Sequence, residues 1–187
     1  MTASAIQQVL LALKSGTANG TLFTVTLNSD SNGWNSFTGV IRVQASAMTL
    51  PSGGITQVRL KLRAGSSEGF TVTNMYIGHR AAAGDAYDFA TTPVQVLFGG
   101  SASKVIAAGT TEWSDWASFA YNKTDDLLGA FYCAGGSSSD MLRYALSVTG
   151  AEKYDKVAND AATVNKTGYS NIAGYVGLID TIESDGY

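Results

Sequence analysis

The chain's only histidine, His79, lies in the stretch VTNMYIGHRAAAGDAYDF (72–89), followed by Asp85, Tyr87 and Asp88. A histidine beside a carboxylate supplies the base and the orienter of a Ser–His–Asp arrangement, which also requires an exposed nucleophile within hydrogen-bond reach. Serine is too abundant here to be diagnostic, and Ala86 stands where a Gly-Asp-Ser motif would place the nucleophile. AGSSEG (64–69) reads as a turn, and no nucleophile elbow is assigned. The expectation is a chain that is not an enzyme, with no catalytic residues and with His79 at a strand end.

Metal ligation is the second chemistry to weigh. One His and one Cys, far apart, exclude most zinc patterns. Cys133 lies in the apolar run LLGAFYCAG and reads as a buried thiol; alone, it excludes an intrachain disulfide. The loops NSDSNGWN (28–35) and GDAYD (84–88) offer oxygen ligands, so Asp30, Asp85 and Asp88 are weak calcium candidates. No twelve-residue loop closed by Glu accompanies them, and turn chemistry alone accounts for Asp, Asn and Ser at such places. The sequence predicts no metal and no cofactor, with calcium the one alternative.

Recognition by aromatic rings is the third. Trp34 sits in the polar loop SNGWNSF, and Trp113 and Trp116 bracket EWSDW. A tryptophan among Asn and Asp suits a sugar, which needs an apolar ring face and amide or carboxylate groups for its hydroxyls. Trp34, Asn35, Asp85, Tyr87 and Trp113 are therefore the candidate ligand contacts. Trp34 suits equally well a residue closing the end of a core, and Trp116, alternating with Ala117 and Phe119, reads as core. Arg59, Lys61 and Arg63, with Arg42 as an added member, form a stripe that reads as a solvated sheet face; contact with an acidic polysaccharide or an acidic subunit is the alternative.

The elements that must position these residues are strands. TQVRLKLRAG alternates strictly, with Val58, Leu60 and Leu62 toward a core and three cations outward. TLFTVTLN, GVIRVQ, FTVTNMYIG, PVQVLFGG, SKVIAAG, WASFAY, LLGAFYCAG, LRYALSV and GYVGLIDTIE continue the series between Gly/Ser-rich turns. Short strands with such turns predict an all-β, antiparallel sandwich or jelly roll, and no helix long enough for βαβ units appears. The polar stretch GAEKYDKVANDAATVNKTG (150–168) reads as a surface excursion. Ile6, Val9, Leu10 and Leu13 recur at amphipathic-helix spacing, so residues 1–16 are a short docking segment for a neighbouring subunit or for the domain itself, and 17–187 form one sandwich domain.

The chain has 187 residues, 45% hydrophobic and only 14% charged, which suits one globular domain. A net charge of −3 argues against general nucleic-acid binding. No signal peptide is evident, and no apolar run approaches a membrane span.

The block from Thr71 to Asp115, followed by DDLLGAFYCAG, resembles the β-sandwich accessory module found beside SGNH/GDSL-type esterases. It also resembles small phage and prophage proteins that carry the block without a hydrolase, with GWN (33–35) upstream and NDAATVN-TGY (159–169) downstream. Two departures stand out: IAAG (106–109) lacks the usual proline, and Trp116 stands where SDP would end. The resemblance covers about residues 30–170 and leaves no room for a hydrolase, so it implies the module alone. What it implies is a structural or attachment protein of a tailed phage or phage-like particle, as head decoration, fibre, spike or tail component. Such a protein assembles in the cytoplasm, acts in the virion or outside the cell, and has other virion proteins and its own copies as partners. A carbohydrate-binding module for a cell-surface glycan is the alternative.

Overall fold

A computed structural model describes residues 19–32, 36–135 and 141–186 of the chain. In chain order its strands are β1 (Gly20–Thr24), β2 (Ser29–Ser31), β3 (Phe37–Val43), β4 (Gln57–Arg63), β5 (Phe70–Val72), β6 (Asn74–His79), β7 (Val94–Val96) and β8 (Lys104–Ile106). There follow β9 (Thr111–Trp113), β10 (Ala117–Ser118), β11 (Leu127–Cys133), β12 (Leu142–Ala145), β13 (Ala151–Lys156), β14 (Ser170–Ala173), β15 (Val176–Gly177) and β16 (Ile179–Ser184). Among the described residues the only helical segment is a 3₁₀ turn at Ala45–Ala47, and no helix is long and apolar enough to cross a membrane.

All strand pairs are antiparallel, as the alternating pattern predicts. One sheet runs β1-β16-β4-β10, with β9 also on β4, and a second runs β14-β13-β3-β11-β6-β7. Two small sheets, β15-β12-β2 and β5-β8, complete the set. The two large sheets share one apolar core, in which Phe23, Leu60, Leu62 and Ile182 meet Ile41, Met75, Ile77 and Phe131. Contact between the sheets is close at Gly129 of β11, where a Cβ would come within 2.8 Å of Ile179 Cδ1 on β16. A side chain at 129 would force the Ile179 side chain to shift. The chain is an all-β antiparallel sandwich.

The polar stretch 150–168 departs from the expectation. Ala151–Lys156 forms β13, paired with β3 along its whole length, and Lys153 is 1% exposed. Ion pairs make this strand tolerable: Arg42 of β3 meets Glu152 at 3.3 Å, and Lys153 meets Asp155 at 2.6 Å. The remainder, with residues 80–93, covers the outer face of the six-stranded sheet. Val40, Leu128, Ala130 and Tyr154 on that face pack against Tyr87, Phe89 and Ala161 as a second, smaller core.

Candidate functional site

The stretch around His79 ends β6 and enters this cover. His79 stacks near Phe119 and Tyr121, with ring centroids 4.7 and 5.5 Å away. Its Nε2 accepts the Asn122 amide at 3.1 Å. Burial lowers its pKa, against the pull of Asp125. A ring nitrogen already accepting a backbone N–H is not free to take a proton from a nucleophile. AGSSEG does contain Gly-x-Ser-x-Gly spacing at Gly65–Gly69, which the sequence reading treated only as a turn. It joins β4 to β5 and leads into no helix, and the Ser67 hydroxyl faces the Met141 sulfur at 3.7 Å.

Asp85, Tyr87 and Asp88 serve the cover itself. Asp88 is buried and accepts the amides of Asp85 and Lys166 at 2.9 and 2.7 Å. The Tyr87 hydroxyl donates to Asp85 at 2.9 Å, and its ring stacks on Tyr169 at 4.8 Å and leans on Tyr154 at 5.2 Å. Tyr169 in turn donates to Asp160. Lys166, 2% exposed, sits over the Phe89 ring at 3.9 Å, and burial pushes its pKa down to about 8. These residues join the two halves of the cover, and Tyr87 is 91% buried beneath them.

Asp30 lies elsewhere, on β2. It accepts Arg143 Nη1 at 2.9 Å and the Ser66 amide and hydroxyl, and the Ser66 hydroxyl, more than Arg143, holds its carboxyl below the usual range. Asp30, Asp85 and Asp88 are thus not brought together as one calcium site, and among the described residues no group of three or more His, Cys, Asp or Glu is placed to hold a metal ion. Cys133 is buried in the main core. Trp34, Asn35, Ile6, Val9, Leu10 and Leu13 lie outside the described residues.

The five-stranded sheet carries a different arrangement on its outer face. On the β9–β10 side, Trp113 pairs with Lys61 and Ala117 with Val58. Four steps on that side therefore match three on β4, which is a β-bulge, a device that re-aims side chains. Its consequence is that Trp113 and Trp116 both face outward, while Ser114 between them is buried. Ser114 Oγ accepts the Leu60 amide at 2.9 Å and donates to the Asp115 carbonyl at 2.8 Å. The Asp115 carboxylate accepts the amides of Gly99 and Gly100 at 3.0 and 2.7 Å. Ser114 and Asp115 of WSDW are thereby fixed.

The Arg59 guanidinium lies over both indoles, 4.4 Å from the ring centroid of Trp113 and 4.6 Å from that of Trp116. Its Nε and Nη2 donate to Glu183 Oε2 at 2.9 and 2.7 Å. Lys61 Nζ stands 5.6 Å from Trp113 and 3.8 Å from Asp180, and Arg63 Nε donates to Asp180 at 2.7 Å. Asp180 reaches both because a second bulge falls between Ile179 and Thr181.

Two sequence expectations are corrected here. Trp116 is partly exposed on the outer face and not in the core, since the bulge shifts the alternation by one before Ala117. Arg42 does not join the stripe: it lies on β3 of the other sheet, paired with Asp126 at 2.6 Å. The sequence placed Trp113 and Arg59 separately; their meeting follows from the register of β4 against β9 and β10. This face offers two partly exposed indoles and fixed donors and acceptors, but no activated nucleophile. No protein-family model matches the chain, and no curated protein matches it.

Proposed function

We propose that the chain is a non-enzymatic attachment domain of a tailed phage or phage-like particle, and that it holds a cell-surface glycan on the Trp113–Arg59–Trp116 face. The observation that carries the reading is the pair of partly exposed indoles resting on an ion-paired guanidinium, on a sheet face that no loop layer covers among the described residues. Aromatic rings beside fixed polar groups are what pyranose rings and their hydroxyls require. Strand order adds support. With β13 and β14 set aside as additions beyond β3, and β1, β3, β4, β6, β7, β9–β10, β11 and β16 numbered as eight successive strands, the orders 1-8-3-6 and 2-7-4-5 remain, which supports a jelly-roll reading of the kind used in capsid and lectin domains. The two stretches of the phage-protein resemblance around Asp85 and Asp160 also pack together, through Phe89, Tyr87 and Tyr169.

Purified chain added to host cells, with extracted surface polysaccharide as competitor, tests this reading. Wild type is expected to bind and be competed off, Trp116→Ala to lose about tenfold in affinity, and antibody against the chain to label particles. Undiminished cell binding by Trp116→Ala and Trp113→Ala, each folded, would rule the face out.

A further inference from the structure

We infer that the glycan accepted by the Trp113–Arg59–Trp116 face is neutral, not acidic; the inference rests on the glycan reading above. The stripe of Arg59, Lys61 and Arg63 suggests a polyanion site when read along β4 alone. Neighbouring strands offset most of that charge, setting two carboxylates against the three cations. Glu183 of β16 takes two donors of Arg59, and Asp180 takes Arg63 at 2.7 Å with Lys61 at 3.8 Å. A carboxylate or sulfate on the ligand would have to displace Glu183 or Asp180 or lie beside them, and like charges in one place repel.

The Arg59 guanidinium stands over both indoles, so its cation–aromatic contacts are made inside the protein. What the face still presents is apolar ring surface beside a locked ion pair whose side chains remain 25% and 17% exposed. Hydroxyl groups can bond to such a pair without separating it, because each hydroxyl both donates and accepts. The bracing of WSDW by Ser114 and by the Asp115 contacts to Gly99 and Gly100 sets the indoles before any ligand arrives, which lowers the ordering cost of binding. Arg59 is a positioning residue in this arrangement, since both indoles rest on it and Glu183 holds it in place.

The test is affinity electrophoresis of the full chain through gels containing neutral polysaccharides (a β-glucan, a galactomannan) or acidic ones (alginate, polygalacturonate), with and without about 0.5 M NaCl to screen exposed charges. Expected is retardation by a neutral polymer that salt leaves unchanged. Arg59→Lys keeps the charge but not the planar stack, and should weaken retardation about tenfold. Glu183→Gln unpairs Arg59 and should add salt-sensitive retardation by an acidic polymer. Trp116→Phe guards against misfolding as a cause of loss, since it keeps a ring and should retain part of the binding. Wild-type retardation by acidic polymers that salt abolishes would overturn the inference while leaving the glycan reading standing. Failure of both polymer classes to retard wild type would overturn the glycan reading itself, and the inference with it.

Discussion

β4 and β11 occupy comparable inner positions in their sheets, and their side chains meet opposite surroundings. Along β4, buried Val58, Leu60 and Leu62 alternate with partly exposed Gln57, Arg59, Lys61 and Arg63. Along β11, every residue but Tyr132 is buried. One sheet thus shows a polar outer face directly to solvent, and the other lies beneath two loops that bring Tyr87, Phe89 and Ala161 down onto it. Antiparallel sheets usually leave one face solvated, and this sandwich follows that rule on one side only. The open face is held by ion pairs and cation–aromatic contacts, the closed one by apolar burial. The closed face adds apolar burial to the fold, and the open face is the one proposed above to take a ligand.

The largest expected effect breaks the closed side. Phe89 is 1% exposed, lies so near Gly78 that a Cβ there would approach its ring to 2.7 Å, and carries Lys166 above it. Phe89→Ala should cost about 3–5 kcal/mol, the range for deleting a buried aromatic ring, read from urea unfolding. Trp116→Ala, on the open side, should cost distinctly less. Equal costs would mean that the cover contributes no more than a surface ladder, and the comparison would collapse.

A smaller effect comes from Lys166. Its folded pKa of about 8 lies below the ordinary 10.5, so between those values the unfolded chain binds more protons and stability rises with pH. From pH 7 to 9 the gain should be on the order of 1 kcal/mol. Burial also lowers the pKa of Lys153, in the same sense. Above pH 10 the sign reverses, because Tyr87, Tyr154 and Tyr169 have pKa values raised by burial, and their contribution is lost once the unfolded tyrosines ionise. Urea midpoints for wild type and Lys166→Met at pH 7, 8 and 9 would check this. The gap between them should move in favour of wild type as pH rises; a constant gap would remove Lys166 as its source.

Much of this contrast could be read from sequence and some could not. QVRLKLR announces an open face by its alternation, and the apolar run LLGAFYC of β11 is of the kind that burial on both sides requires. What covers it was not legible, because KVANDAATVNKTG carries its apolar contribution in Ala161, Val164 and Tyr169 among polar neighbours, and Lys166 is buried by local partners that only the fold assembles. β13 was missed for a related reason: its charged residues are paired across to Arg42 and along to Asp155, so polarity ceased to report exposure. On the proposed binding face the residue types were visible and their union was not. One extra residue between Trp113 and Ala117 decides that Trp116 turns outward, and a bulge has no composition of its own at this site. His79 drew attention by being the only histidine, whereas its surroundings, Phe119, Tyr121 and the Asn122 amide, give it a packing role.

The smallest expected effect concerns the open face and sharpens the comparison from its other end. Glu183→Gln removes the carboxylate that holds Arg59, in a pair whose side chains are 25% and 17% exposed. Exposed pairs contribute about 0–1 kcal/mol, and salt screens them. The substitution should therefore lower stability by less than about 1 kcal/mol at low ionic strength, and the difference should fade near 1 M salt. Phe89→Ala should keep its full deficit there, since kosmotropic or merely screening salt does not restore a missing ring. Unfolding both variants in parallel at low and high salt separates the two kinds of stabilisation. If the Glu183→Gln deficit were large and indifferent to salt, the ladder of Trp113, Arg59 and Trp116 would be a third core of the domain, and its claim to be a binding face would weaken accordingly.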